Sequence, residues 1–544
     1  TTGPAAGGGI ARAVVTTYAA RFASMIAYVA LLPIVLMAFG ADAYGLYVLT
    51  VALGSLFQQD LGIGGATTRF IGVAFPARDV ARMREVASAS TAFFLAAAVL
   101  LSAASALAFA AAVPSARFGD DLIPTAWMLC VLGVVNVFVL LAFSSNRQIL
   151  AGIGRLDDVN YLLIGLALFR IVATIVVCWA HLGIVAVAVV DVIGMLGFGI
   201  ATFVLRRLRA PQITASFRQF RWSVFRELFH VSAQLMVVGV AGVVIMQAGG
   251  VLTALLLPIA FTAMYAAGQR IYLLVKEVTG SIATAVLPTA SMRQGGAEGL
   301  PNGELFLRGT SLANMLMMLV LVPVVTFMPM IMTLWLGPGS APAAIVAQIL
   351  VLSLLANNNH LLAIPILTAQ GSLRGYAILH TVWAVTGTVL AAVLGSALDS
   401  TPALAGIALG LTIPVVLLEP IYVLIALRRL GLSGREFVVR CLVSPFLSTL
   451  PLAAGVYTVS LLDPSLVVAV LTTVGWVVAA VAVYWCFGKD GVPRPRWSLS
   501  SLTRKRRHPG QISEPPRRGS APETLIRSAG GQRTGYSTRQ EGAR

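Results

Sequence analysis

Charge is scarce in this chain. Of 544 residues only 11% are charged and 58% are hydrophobic, with a mean hydropathy of +0.88. Soluble domains carry about a quarter charged residues, so an ordinary water-soluble fold is excluded. Histidine and cysteine are also sparse, at five and four residues. Cys130, Cys178, Cys441 and Cys486 stand singly in apolar runs, with no Cys-x-x-Cys pair and no histidine cluster nearby. Neither a disulfide framework nor a metal site is expected. Walker, Gly-x-Ser-x-Gly and His-Glu-x-x-His motifs are missing, which argues against an ATPase or hydrolytic centre, an enzymatic activity and a cofactor. No stretch between apolar runs is long enough for a separate soluble domain. The opening Thr1-Thr2-Gly3-Pro4 lacks a methionine and a basic region before a short cleavable core, so the first apolar segment reads as a permanent span.

What the chain has is hydrophobic length. A spanning helix takes roughly 20 apolar residues, and the apolar part running to Phe487 accommodates fourteen. Spans are predicted near 12–39, 44–73, 87–113, 123–151, 160–180, 183–205, 228–257 and 259–290, then 308–336, 343–369, 376–398, 403–427, 437–461 and 465–487. The predicted fold is an all-α polytopic membrane protein. With the N-terminus inside, the inner connections hold Arg78, Arg82, Arg84, Arg155, Arg206, Arg207, Arg209, Arg218, Arg221 and Arg226, whereas the outer ones hold Arg117 alone. That asymmetry predicts an N-in, C-in topology. Residues 488–544 carry thirteen Arg or Lys against four acids, +9 of the total +17. This tail is compositionally disordered and suited to anionic lipid or simply to solvation, with no nucleic-acid role expected.

A shift of 217 residues sets Asp60-Leu-Gly-Ile-Gly-Gly-Ala-Thr-Thr over Glu277-Val-Thr-Gly-Ser-Ile-Ala-Thr-Ala, and Gly154 over Gly371. Two matches at one offset predict related six-helix lobes, 1–210 and 211–430, with appended helices in 431–487 and the tail from 488 to 544. Recurrence of small residues in membrane helices is the competing explanation. Parallel repeats of this kind place a substrate path between the lobes, an architecture for alternating access.

Ionisable groups at membrane depth are costly and face a partner or a wet cavity. Residues equidistant from a hairpin turn share a depth. This pairs Arg21 with Asp60, Arg170 with Asp191 and His380 with Glu419, and the first and last are expected to be partners. Helix 8 carries Thr262, Tyr265, Gln269, Tyr272, Lys276 and Thr279 on one stripe, with Arg270 and Glu277 on a second, and Gln247 of helix 7 lies at the depth of Gln269. The set fits either interhelical hydrogen bonding or a cationic cavity for phosphates and sugar hydroxyls, and the second is favoured. Asn357-Asn358-Asn359-His360 reads as an unwound polar segment or as packing glue. Glu419, between Pro414 and Pro420, is an ion-coupling candidate or a structural partner. Arg69 faces an anionic head group or snorkels to the interface.

The run Asp42-Ala43-Tyr44-Gly45-Leu46-Tyr47, then Asp60-Leu61-Gly62-Ile63-Gly64 and Thr68-Arg69-Phe70, resembles the second-helix signature of the polysaccharide-biosynthesis flippases, within the multidrug/oligosaccharidyl-lipid/polysaccharide exporter superfamily. Gly152-Ile153-Gly154-Arg155 and the pattern from Tyr265 to Pro288 are also similar. The resemblance implies two helix bundles in a V, with helices 1, 2, 7 and 8 lining the cavity. It implies export of a polyprenyl-(pyro)phosphate-linked oligosaccharide across a bacterial inner membrane. By that logic Arg270, Lys276 and Arg69 hold the phosphate or acidic sugar, while Tyr265, Gln269, Tyr272 and Gln247 contact sugar. Asp60, Glu277, Arg21, Glu419 and His380 supply cavity charge or ion coupling. Expected partners are the lipid-linked glycan, membrane lipids, and glycosyltransferases or a polymerase of the same pathway. The rivals are a cation-coupled multidrug exporter of the same fold and a glycosyltransferase scaffold acting through the tail, which departs from the family pattern.

Overall fold

The computed structural model describes residues 6–58, 62–294, 301–369, 373–462 and 464–487; Asp60, Gly371, the tail 488–544 and the side chain of Thr279 lie outside them. Among the described residues the helices are α1 (Ala6–Phe57), α2 (Ile63–Ala74), α3 (Val80–Ala112), α4 (Ile123–Gly152), α5 (Leu156–Trp179), α6 (Ile184–Arg209), α7 (Trp222–Leu256) and α8 (Ala260–Gln294). There follow α9 (Asn302–Thr326), α10 (Met328–Leu336), α11 (Ala341–Leu361), α12 (Ala363–Ala369), α13 (Arg374–Ala397), α14 (Ser400–Leu430), α15 (Gly434–Phe437), α16 (Ser444–Ser460) and α17 (Leu466–Phe487).

Among the described residues twelve helical stretches are long and apolar enough to cross a membrane, and the chain is a multi-pass membrane protein. The first of them, α1, contains two spans, because Gly40 leaves helical geometry at φ 83°, ψ 169°. A left-handed φ of this kind favours glycine. Tyr28 and Tyr47 show that the chain folds back there. They would be roughly 28 Å apart on a continuous helix, yet Tyr28 accepts a hydrogen bond from Arg170 and Tyr47 donates one to Asp191, and Arg170 and Asp191 are themselves paired. Counting both arms of α1 and adding the polar α8 recovers fourteen segments.

Predicted helices 9, 10 and 13 are each broken in the structure, and in 9 and 13 a proline opens the second piece. Proline lacks the N–H that would bond the carbonyl four residues earlier, and a freed carbonyl in a membrane needs another donor. Pro329 frees Val325, whose oxygen accepts from Gln348 Nε2 on α11 at 3.0 Å. Pro445 frees Cys441, whose oxygen accepts from Asn314 Nδ2 on α9 at 2.7 Å, beside a π-helical turn at Val438–Val443. In α1, Pro33 frees Val29, and Trp335 Nε1 of α10 donates to that carbonyl at 3.2 Å. Three carbonyls freed by prolines are thus each met by a side chain from a neighbouring helix.

Helices α1–α6 pack mainly on one another, as do α7–α14, with α16 and α17 against α9; across the halves α1 meets α7 and α8. One apolar core joins both halves near the turn of α1 and the α7–α8 turn, from Leu46 and Leu129 to Ile259, Val346 and Leu404. At that end Ile259 N–H donates to the Arg117 carbonyl at 3.0 Å, and Gly45 lies against Ile259 so closely that a Cβ would collide with its backbone. Toward the other end the core divides into two separate clusters, one around Phe94 and Leu141 and one around Phe306 and Tyr376. The first of these clusters also takes in Val224 and Leu228 of α7, so the halves share one core at one end, whereas at the other α7 stays with the N-terminal helices and the remaining C-terminal helices pack apart. The divided end carries the pairs Arg82–Glu227, Arg221–Glu85, Arg209–Asp158 and Arg440–Glu304, at helix ends that the sequence assigns to the inner side.

Candidate functional site

A cavity of about 390 Å³ lies between the halves, lined by both arms of α1 and by α5, α6, α7 and α8. Such a volume matches ordinary small-molecule sites. Its charged wall is built from α5, α6 and α8. Arg170 and Asp191 pair at 2.5 Å, and the Tyr47 hydroxyl donates to the second carboxylate oxygen at 2.5 Å. With both its charge and its lone pairs met, Asp191 can remain 8% exposed at membrane depth. Arg170 also donates to the Tyr28 hydroxyl at 2.9 Å and sits 5.1 Å from the centre of that ring. Arg270, from α8, lies 4.4 Å from the same ring centre.

Tyr28 therefore meets two guanidiniums, one from each half. Asp191 neutralises Arg170, whereas Arg270 has no carboxylate partner among the described residues. The cavity thus carries one uncompensated cation against a ring face, an arrangement that favours cation–π contact and leaves donor N–H groups for an anion. Gln247, Gln269 and Tyr265 also line it. Gln269 donates to the Met246 carbonyl, joining α8 to α7 at the depth predicted for Gln247. Tyr265 is fully buried against Gly249, where any side chain would overlap its hydroxyl.

The other predicted residues fall elsewhere. Lys276 lies 5.6 Å from the Tyr272 ring centre, and neither residue lines the cavity. Arg69 is exposed at the far part of α2, away from the cavity. The expected partner of Arg21, Asp60, lies outside the described residues; among them Arg21 pairs with Glu277 across the halves at 2.6 Å. One expected partnership is corrected. Equal depth identified a level in the membrane but not which of several helices at that level would be met. Glu419 pairs not with His380 but with His360, at 2.6 Å; His380 instead engages the Tyr376 carbonyl and the Tyr422 hydroxyl, each at 3.0 Å. The Asn357–His360 run stays helical and buried, with Asn358 and Asn359 bonded to Asn314.

No family model matches the chain, and no curated protein sequence matches it. Solved structures do. An inward-closed structure of the lipid II flippase MurJ superposes with a TM-score of 0.65 at 14% identity, covering 88% of this chain and 98% of that one. An inward-facing multidrug resistance MATE family transporter of the MOP superfamily gives 0.64 at 16% identity, over 75% and 94%. The fold is that of the MOP-superfamily transporters. A MOP transporter from Pyrococcus furiosus, described as having a binding pocket of reverse polarity, gives 0.53 at 17% identity over 78% and 94%. This MOP fold is the one implied by the 42–70 run. Sequence reasoning missed Tyr28, Tyr44, Tyr47 and Arg170 as cavity residues. The matched depth of Arg170 and Asp191 identified a pair without showing what it faces, and Tyr28 gives no signal in an apolar span.

Proposed function

We propose that the protein is a flippase that moves a polyprenyl-(pyro)phosphate-linked oligosaccharide across the bacterial inner membrane by alternating access, for cell-surface polysaccharide biosynthesis. The observation that carries this reading is Arg270, without a carboxylate partner among the described residues, over Tyr28 in a cavity between two halves that share a core at one end and, apart from α7, pack separately at the other. The guanidinium receives phosphate, and the tyrosine faces and amides receive sugar. About 390 Å³ holds a head group and not a long prenyl chain; the chain stays in lipid. Residues 1–210 and 211–430 act as the two lobes, with the N-terminus inside and the tail toward membrane lipid and the glycosyltransferases or polymerase of the pathway. Arg21–Glu277 then bridges the lobes on the inner side of the cavity. An exporter of cationic drugs would need a net anionic wall, and here the carboxylate at Asp191 is already neutralised.

Binding to the protein in nanodiscs tests this. A polyprenyl-phosphate-linked glycan binds and is displaced by its glycan-phosphate head group, and Arg270→Ala weakens it about tenfold or more. Preference for a cationic dye, unchanged in Arg270→Ala, would support the multidrug reading. Deleting residues 490–544 leaves binding intact; loss of all function on that deletion would support a scaffold.

A further inference from the structure

The C-terminal half holds a second polar cluster that takes no part in the cavity. His360 of α11 and Glu419 of α14 are 1% and 6% exposed and meet at 2.6 Å between Nδ1 and Oε2. Around them Tyr422 stacks on the His360 ring at 4.2 Å between centres, and Tyr376 and His380 of α13 close the sides. The second carboxylate oxygen, Oε1, is buried without a hydrogen-bond partner. Lys276 of α8, a helix packed against α11, acts through space on His380.

Proton counting defines what this pair can do. With one proton, whether on the carboxyl or on the imidazole, it is neutral as a unit. With none it leaves a buried carboxylate whose Oε1 has no donor, and with two it leaves a buried imidazolium facing a neutral acid. Both charged states are costly at low dielectric. The cluster therefore holds one proton while packed as seen here, and releases it only if the packing opens to water or to another charge. Glu419 sits directly before Pro420 and five residues after Pro414 within α14, the interruptions at which a helix bends. A carboxylate hydrogen-bonded to an imidazole is a pair that exchanges a proton, and the proton is the ion assigned to it here.

We infer that the His360–Glu419 pair is a proton-binding site in the C-terminal half, separate from the cavity, that is loaded and emptied as α14 repacks. The link to α8 through Lys276 connects its charge state to the helix that presents Arg270. That it couples to transport rests on the flippase reading; that it binds a proton does not.

Infrared difference spectra of the purified full-length protein between acid and alkaline pH test the binding directly. The site predicts a protonated-carboxyl band that moves with isotopically labelled glutamate in the wild type, disappears in Glu419→Gln and persists in Glu277→Gln. Its midpoint shifts by about one unit or more in His360→Gln. A band that fails to move with the glutamate label, or survives in Glu419→Gln, overturns the proposal, and the labelled wild type decides even if the variants misfold. In proteoliposomes under an imposed pH gradient, lipid transfer changes several-fold in the wild type and not in Glu419→Gln. Transfer indifferent to the gradient removes the coupling, whereas no transfer at all removes the flippase reading and leaves the spectroscopic result standing.

Discussion

The guanidinium of Arg270 lies 4.4 Å from the centre of the Tyr28 ring, and on that ring the two halves of the molecule present their cavity cations to one another. Arg170 reaches it already neutralised, and Arg270 reaches it free. Loss of the ring should matter more than loss of its hydroxyl. Tyr28→Phe is expected to keep anion binding within about twofold, and Tyr28→Leu to weaken it several-fold, in line with about 0.5–2 kcal/mol for a cation–π contact. Titration of the head-group phosphate against both variants checks this, and equal losses would mean that the hydroxyl, and not the ring face, positions Arg270.

The Arg170–Asp191 pair is nearly enclosed, with Asp191 8% exposed. Removing one partner strands the other charge. Arg170→Met and Asp191→Asn are each expected to destabilise by about 3 kcal/mol, and the double variant by less than either single change. Thermal unfolding in detergent measures the cycle; additive losses would show that the two groups do not depend on one another.

The carbonyl freed by Pro329 predicts a conditional effect. Gln348→Leu removes its donor and should cost about 1 kcal/mol. In a Pro329→Ala background the helix regains its own N–H for Val325, and the same change should cost close to nothing. An equal cost in both backgrounds would show that Gln348 does not serve that carbonyl.

Arg21 and Glu277 meet across the halves while 42% and 32% exposed, so the pair adds little stability, about 0–1 kcal/mol. Its effect should appear in the rate. Charge reversal at either position is expected to slow lipid transfer several-fold, and Arg21→Glu with Glu277→Arg to recover most of it. No recovery in the double variant would mean that the residues act separately.

Much of this was readable from the sequence. Apolar runs placed the long helices, twelve of which among the described residues are long and apolar enough to cross a membrane, because each must bury its own backbone hydrogen bonds in lipid. Helical spacing placed Tyr265, Gln269 and Arg270 on a common wall, and reflection about Pro258 brought Gln269 within reach of the α7 backbone beside Gln247. Reflection about the turn at His181–Leu182 likewise found Arg170 with Asp191. Such reflection failed for His380, since a bundle sets several helices at each depth: α11 puts His360 against Glu419 while α13 turns His380 toward Tyr422. The Tyr28 ring was not legible, because its role depends on the fold-back at Gly40 and on two helices distant in sequence.

The central claim is that an anionic lipid-linked glycan crosses through the Arg270 cavity. The direct measurement is leaflet-to-leaflet transfer of a fluorescent polyprenyl-pyrophosphate-linked oligosaccharide in liposomes containing the wild type or Arg270→Ala, beside a cationic dye. Lipid transfer by the wild type that falls at least tenfold in Arg270→Ala, with no dye movement, is the predicted result. Dye efflux without lipid transfer, or lipid transfer indifferent to Arg270, would contradict it.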